Sequence, residues 1–406
     1  MRMPTVVLVG TLDTKGLEYA YLRDRLREHG VDVLLVDVGV NEPLVDPDVS
    51  RAEVARAAGA EVVFGDRGAA VEAMARGAEA VVRRLHEEGR LDGVLGLGGS
   101  GGTAIATQAM RALPVGVPKL MVSTMASGDT RPYVGAVDVT MTYSVVDIAG
   151  VNAVSARILT NAAAAMAGMA TAAAPEPGEA KPLVAASMFG VTTPCVTVAR
   201  ERLEELGYEV LVFHATGTGG QSMEALVRGG FIAAVLDVTT TELADELVGG
   251  VLSAGPERLE PAGELGLPQV VSLGALDMVN FGPRDTVPER FRDRLFYEHN
   301  PTVTLMRTTP EECAELGRTI ARKLNAARGP VTLFVPLRGV SMIAVEGQPF
   351  HDPAADEALI GALREELDQS VVDVREVETD VNDPAFAVAM AERLHELVVA
   401  REGVAA

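Results

Sequence analysis

Short apolar runs rich in Val and Leu alternate along this chain with longer stretches whose apolar residues recur at helical spacing. TVVLVG (Thr5 to Gly10), VDVLLVDV (Val31 to Val38), GVLGLG (Gly93 to Gly98) and KLMVST (Lys119 to Thr124) form a first set. LVAASMFG (Leu183 to Gly190), YEVLVFHA (Tyr208 to Ala215), IAAVLDV (Ile232 to Val238), PQVVSLG (Pro268 to Gly274) and PVTLFVPL (Pro330 to Leu337) form a second. Apolar strands separated by helices predict the α/β class, with mainly parallel sheets covered by helices. Between the sets, TAAAPEPGEAKP holds three prolines and a glycine, which exclude regular structure. The pattern therefore predicts two Rossmann-like lobes, 1–171 and 183–406, joined by a linker at 172–182. VVLVGTLDT, a helix ending LREHG and then VDVLLVD parallels VAASMFGVTT, a helix ending LEELG and then YEVLVFH. An internal duplication is the reading.

The most informative stretch is Leu91 to Met110, where an apolar strand enters a glycine-rich turn and then an alanine-rich helix. Gly98, Gly99, Ser100, Gly101, Gly102 and Thr103 are placed to wrap an anion. Glycines let backbone N–H groups approach a ligand, and the helix start adds unpaired N–H groups and a positive dipole end. Phosphate is the expected guest; the bland alternative is a turn that only lets helix and strand pack closely. Gly96, Gly98 and Gly101 also fit G-x-G-x-x-G, but the next strand ends in Ser123 and Thr124 where a nicotinamide-cofactor fold needs an acid. No G-x-x-x-x-G-K-[ST] pattern occurs. HATGTGGQSMEAL (His214 to Leu226) reads as the same device repeated in the second half.

Composition narrows the field. At 406 residues and 48% hydrophobic content the chain can fill two cores, and a formal charge of −22 argues against nucleic-acid binding. Two cysteines, Cys195 and Cys313, without metal-ligand spacing suit neither a disulfide framework nor a zinc site. A reducing cytoplasm is expected. Ile158 to Ala174 is alanine-rich and interrupted by Asn161, so it reads as a buried helix and not a membrane span.

Candidate chemistry falls after the predicted strands. Thr11, Asp13, Thr14 and Lys15 follow the first strand, where Lys15 can neutralise phosphate and Asp13 can hold Mg²⁺ or a ribose; otherwise Asp13 or Thr14 caps the next helix. Ser123, Thr124, Ser127, Gly128 and Asp129 form a second polar loop after a buried strand, where hydroxyls meet phosphate or base; the alternative is an ordinary hydrophilic turn. In the second half His214, before Gly217, Gly219 and Gly220, is a candidate general acid or base. Asp237 ends the next strand, with Thr239 and Glu242 predicted as a capping box for the helix that follows. Asp277 and Asn280 join His299, Asn300, Arg338 and Ser341 as a substrate pocket, provided the fold assembles them. His351 and Asp352 read as a surface turn and Cys195 as a small buried thiol.

VGTLDTKG (9–16), GLGGSGGT (96–103), STMASGDT (123–130), FHATGTGG (213–220), DVTTTELADEL (237–247), GALDMVNFG (274–282) and YEHNPTVTLMRTT (297–309) occur in an order that resembles a bacterial family. That family is named for the ATP-binding region of the tomato mosaic virus resistance protein. The resemblance implies a two-lobed nucleotide-binding fold, a dimer and an unassigned bacterial reaction. In the plant relatives the region binds ATP, blocks a viral replication protein and is fused to a further domain; the antiviral role is not carried over. The leading expectation is ATP, with Mg²⁺, on the turn at Gly98 to Thr103, and a small acidic metabolite held by the second lobe in the cleft. His214 or Asp277 would then move a proton. A non-enzymatic, ligand-dependent regulator of a partner protein is the alternative. An NAD-linked oxidoreductase using Gly217, Gly219 and Asp237 is weaker, because Ser222 stands where the third glycine belongs.

Overall fold

The computed structural model describes residues 2–59, 67–172 and 181–405. Two compact units divide the chain, Met1–Glu176 and Pro177–Ala406. The linker expected at 172–182 falls mostly on residues 173–180, outside the described residues.

In the first unit, β1 (Thr5–Gly10), β2 (Asp32–Asp37), β3 (Gly93–Gly98), β4 (Lys119–Ser123) and β5 (Thr140–Tyr143) pair in parallel in the order β2-β1-β3-β4-β5. The strands lack polar alternation because both faces are covered. Val7, Val9, Val94 and Met121 pack on one face against the helices Arg67–Glu87 and Ser100–Arg111. Val6, Leu8, Leu95 and Leu97 pack on the other against Leu12–Glu28 and Ala153–Thr171. The alanine-rich segment is thus part of a packed helix, capped by Asn152, which accepts from Val154 N and Ser155 N. Among the described residues no helix is long and apolar enough to cross a membrane.

The second unit is built on β6 (Leu183–Met188), β7 (Glu209–His214), β8 (Ala234–Thr239) and β9 (Gln269–Gly274). Then come β10 (Met278–Phe281), β11 (Phe296–Asn300) and β12 (Val303–Arg307), followed by β13 (Val331–Pro336) and β14 (Val372–Val377). The six-stranded parallel sheet runs β7-β6-β8-β9-β13-β14, so its first four strands take the same 2-1-3-4 order as those of the first unit. That shared order agrees with the repeat seen in the sequence. A small antiparallel sheet, β10-β12-β11, is inserted between β9 and β13. The apolar pattern did not reveal it, nor β5 and β14: these strands are short, or carry polar residues at exposed edges.

In each unit the chain leaves its first strand toward one side of the sheet and later returns on the other. Such a reversal opens a crevice at the carboxyl ends of the first and third strands, between β1 and β3 and again between β6 and β8. The two crevices are built differently.

Candidate functional site

The crevice of the first unit is held open by Tyr19. Its side chain rises from the helix Leu12–Glu28, and its hydroxyl donates to Val9 O (2.6 Å) and accepts from Leu97 N (2.8 Å). The β1–β3 ladder stops at the Val9–Gly96 pair, so the phenol takes over as the strands separate. Gly10 is required there, since a Cβ would lie 1.9 Å from the Tyr19 ring. Burial pushes the Tyr19 phenol far up, so it acts as a neutral bridge.

Beyond Tyr19 lies a cavity of about 580 Å³, with Thr11, Asp13, Thr14 and Lys15 on one side and Gly98 to Gly102 on the other. The sequence grouped these residues, and the fold brings them together. The helix Ser100–Arg111 begins at Gly99 with no side-chain cap and no acidic residue in its first turn. The first intrahelical donor at this end is Thr103 N, to Gly99 O (2.9 Å), which leaves the N–H groups of Ser100, Gly101 and Gly102 ahead of the ladder. A Cβ on Gly101 would meet nothing within 4 Å, whereas one on Gly98 would lie 2.9 Å from Gly102 Cα. Gly98 therefore serves the close turn, and Gly101 keeps the mouth clear.

Other expectations for this loop need correction. Thr103 and Ser123 are fully buried and bond each other at 2.6 Å; they tie the turn to β4 and do not line the cavity. Ser127 and Gly128 sit exposed in the following turn, also outside the lining. Thr124 does approach, its hydroxyl 3.8 Å from where a Gly99 Cβ would sit. Lys15 Nζ donates to Ile148 O, so the ammonium is engaged by a backbone carbonyl. Asp13 does not cap its own helix: its Oδ2 accepts from Val40 N (3.3 Å), Asn41 N (3.0 Å) and Asn41 Nδ2 (3.1 Å). Beside it stands Asp37, which sequence reasoning missed although an acid closing the run VDVLLVDV was there to see. Burial pushes Asp37 up, and donation from Gly39 N (2.8 Å) and Leu12 N (3.2 Å) draws it part of the way back.

The second unit closes its equivalent crevice with its own side chains. Ser187 of β6 donates to Asp237 of β8 (2.6 Å), and the Thr192 and Thr239 hydroxyls bond at 2.7 Å. Asp237 is held by the guanidinium of Arg258, Nη1 to Oδ2 at 2.5 Å and Nη2 to Oδ1 at 2.7 Å. Arg258 also reaches Glu242 (2.7 Å) and Glu224 (3.1 Å), and all four groups are buried. Burial opposes the charge on Arg258, but Asp237, Glu242 and Glu224 keep it firmly protonated. Burial also pushes Glu224 up to about 7.

This network overturns several expectations. The turn at Gly217 is not the topological counterpart of the one at Gly98, for it follows the second strand of its unit and not the third. It is also filled. Glu242 Oε1 accepts from Gly217 N (2.7 Å) and Gly220 N (3.0 Å), so a carboxylate of the protein sits where a ligand anion was expected. Gly219 is glycine because a Cβ would lie 1.7 Å from His214 O. Thr239 and Glu242 form no capping box, since both side chains are used elsewhere. Gly217, Gly219, Gly220 and Asp237 are thus structural, and the NAD-linked reading loses its residues.

The remaining group is not assembled as expected. Asp277 accepts from Ser341 Oγ (2.8 Å), both buried, and burial pushes the acid up to about 6. Asn280 is also buried, its Nδ2 donating to Asp245 at 2.6 Å. His299 and Asn300 are exposed on β11, and Arg338 is exposed and paired with Glu378. His214 is exposed at the end of β7, its ring edge-on to Phe189. Asp352 caps the helix Pro353–Glu366, and Cys195 is a buried thiol pushed up to about 12. A depression of about 540 Å³ bordered by Leu243, Glu260, Leu316 and Lys323 contains none of the expected residues. Among the described residues no three or more His, Cys, Asp or Glu side chains form a metal-binding cluster.

Fold and site define a two-unit α/β protein with an open, glycine-rich helix start at the switch point of its first sheet. The chain belongs to an uncharacterised protein family, UPF0261, whose N-terminal domain matches residues 4–175 and whose C-terminal domain matches residues 181–398. It is 53% identical to a UPF0261 protein of Clostridium tetani, over 96% of this chain and 98% of that one. It is 42% identical to the ToMV resistance protein Tm-1 of Solanum lycopersicum, over 97% of this chain but 56% of the plant protein. The solved structure of a putative UDP-N-acetylglucosamine 2-epimerase from Listeria monocytogenes aligns over 90% of this chain and 97% of its own at 12% identity, with a TM-score of 0.26.

Proposed function

We propose that the first unit binds a nucleotide, ATP in the first instance, with its phosphates on the N–H groups of Ser100, Gly101 and Gly102. One observation carries this reading. The same topological position is sealed by bonded side chains in the second unit and is open, uncapped and free of acidic first-turn residues in the first. A helix start of that kind favours a bound anion. Val38, Ala70 and Ile105 add apolar surface for the rest of the ligand. Asp13 would hold the accompanying Mg²⁺, which neutralises phosphate charge when bound.

As an enzyme, the protein would pass a phosphoryl group to a small acidic metabolite. Because Asp237, Asn280 and the glycines after His214 are engaged internally, that metabolite would have to be held by other residues. A ligand-dependent regulator is the second reading, favoured by the internal use of the second unit's carboxylates and by the kinship with a plant resistance protein. The dimer implied by the family resemblance and the cytoplasmic residence expected from the cysteine content belong to the same proposal.

Thermal unfolding with ATP and Mg²⁺, ADP, NADH or coenzyme A tests it. Ligand at about 100 times its Kd should add about 2.7 kcal/mol. The expected outcome is stabilisation by ATP that disappears in Gly101→Asp, whose side chain has room but places a carboxylate on the turn. Equal stabilisation of the variant would sink the assignment. Turnover in a metabolite screen would favour the enzyme; ligand-dependent partner binding without turnover would favour the regulator.

A further inference from the structure

We propose that Asp13 and Asp37, side by side against Gly39, together form a divalent-cation site of the Mg²⁺ or Mn²⁺ class, loaded before any nucleotide arrives. Its role at the phosphate turn rests on the nucleotide reading; its existence does not.

Each of the two carboxylates has one satisfied oxygen and one buried oxygen without a partner. Asp13 Oδ2 takes three N–H donors from Val40 and Asn41, and Asp13 Oδ1 has none. Asp37 Oδ1 takes Leu12 N and Gly39 N, and Asp37 Oδ2 has none, in a residue that is fully buried. Both groups stand against Gly39. A Cβ on Gly39 would lie 2.6 Å from Asp13 Oδ1 and 3.0 Å from Asp37 Oδ1. Gly39 is not among the residues with positive φ, so backbone conformation does not demand glycine there. Without a side chain there, the two acids can stand side by side.

Charge supplies the second argument. Among the described residues neither acid enters an ion pair. Arg51, whose field reaches Asp37, is paired with Glu42, and Lys15 is engaged by Ile148 O. Two adjacent carboxylates, each with a buried unpartnered oxygen, call for a positive charge, either a shared proton or a metal ion. Position favours the ion. Asp13 lines the crevice opposite the Gly98–Gly102 turn, giving an entry path and a side on which phosphate oxygens can complete the coordination. Two carboxylates with remaining positions left to water and phosphate is the donor set Mg²⁺ prefers.

The test is Mn²⁺ titration of nucleotide-free protein, read by the EPR signal of free Mn²⁺, for the wild type, Asp13→Asn, Asp37→Asn and Gly39→Ala. Expected is one Mn²⁺ per chain, displaced by Mg²⁺, and at least tenfold weaker binding in every variant. Because Asp37 supports Leu12 N and Gly39 N, its variant is checked for folding by circular dichroism; Gly39→Ala keeps both acids but its Cβ pushes the Asp13 carboxylate from its place beside Asp37. Wild type that binds no Mn²⁺ at millimolar concentration, or Asp37→Asn and Gly39→Ala that bind it undiminished, would overturn the proposal. Mn²⁺ binding in a protein that shows no ATP stabilisation would leave the cation site standing and remove only the nucleotide reading.

Discussion

Asp237 and Arg258 form a two-pronged ion pair at 2.5 and 2.7 Å, with Asp237 at the carboxyl end of β8 and both side chains fully buried. An acid at a strand end resembles a ligand-binding group in sequence; here its ligand is an arginine of the same unit. Arg258→Met should leave Asp237, Glu242 and Glu224 buried without a counter-charge and cost about 3–5 kcal/mol. Urea unfolding measures this. Asp237→Asn should also lower stability but leave stabilisation by ATP unchanged, and a selective loss of ATP binding would contradict the structural role assigned to Asp237.

Stability of the second unit should fall as pH rises through neutrality. Burial raises Glu224 from the ordinary 4.5 to about 7, Asp245 from 3.8 to about 7 and Asp277 from 3.8 to about 6. A raised carboxyl pKa means that the native state binds protons more tightly than the unfolded chain. The contribution is complete below about pH 4 and is lost as pH passes 6 to 7, by at most about 1.4 kcal/mol per pH unit for each group. Urea midpoints at pH 5 and pH 8 should differ in favour of pH 5, and Glu224→Gln should flatten the difference.

Tyr19→Phe should act on the first unit alone. The ring still fills its place against Gly10, but Val9 O and Leu97 N lose their shared partner inside the sheet. A cost of about 1–3 kcal/mol is expected from the unpaired groups. Amide exchange should quicken at Leu97 while that of β6 to β9 is unchanged.

Glycine replacements should separate space-filling positions from free ones. Gly219→Ala drives a methyl into His214 O and should unfold or severely weaken the second unit. Gly101→Ala meets nothing within 4 Å and lies in the first turn of a helix, so it should be neutral or gain up to about 1 kcal/mol. Thermal unfolding of the two variants compares them directly.

Much of the first site was legible because it is local. Thr11 to Lys15 and Gly98 to Gly102 each follow a run of Val and Leu, and such runs can only be interior strands whose next residues emerge at the sheet edge. Tyr19 and Asp37 were harder to see, since each acts on a strand distant in sequence. In the second unit the glycine turn after His214 looked like a ligand site, and only the position of Glu242, 22 residues beyond Gly220, shows that it is already filled.

The order of apolar runs and helices by itself determined the α/β class, the two units and the repeated strand plan, because burying Val- and Leu-rich segments requires covered parallel sheets. The fate of the polar residues at the strand ends was decided by the tertiary structure. A carboxylate or a helix start is a site or a structural bond according to which group from elsewhere in the chain reaches it first: in the second unit Arg258, Glu242 and Ser187 do so, and at Ser100 to Gly102 no side chain among the described residues caps the helix.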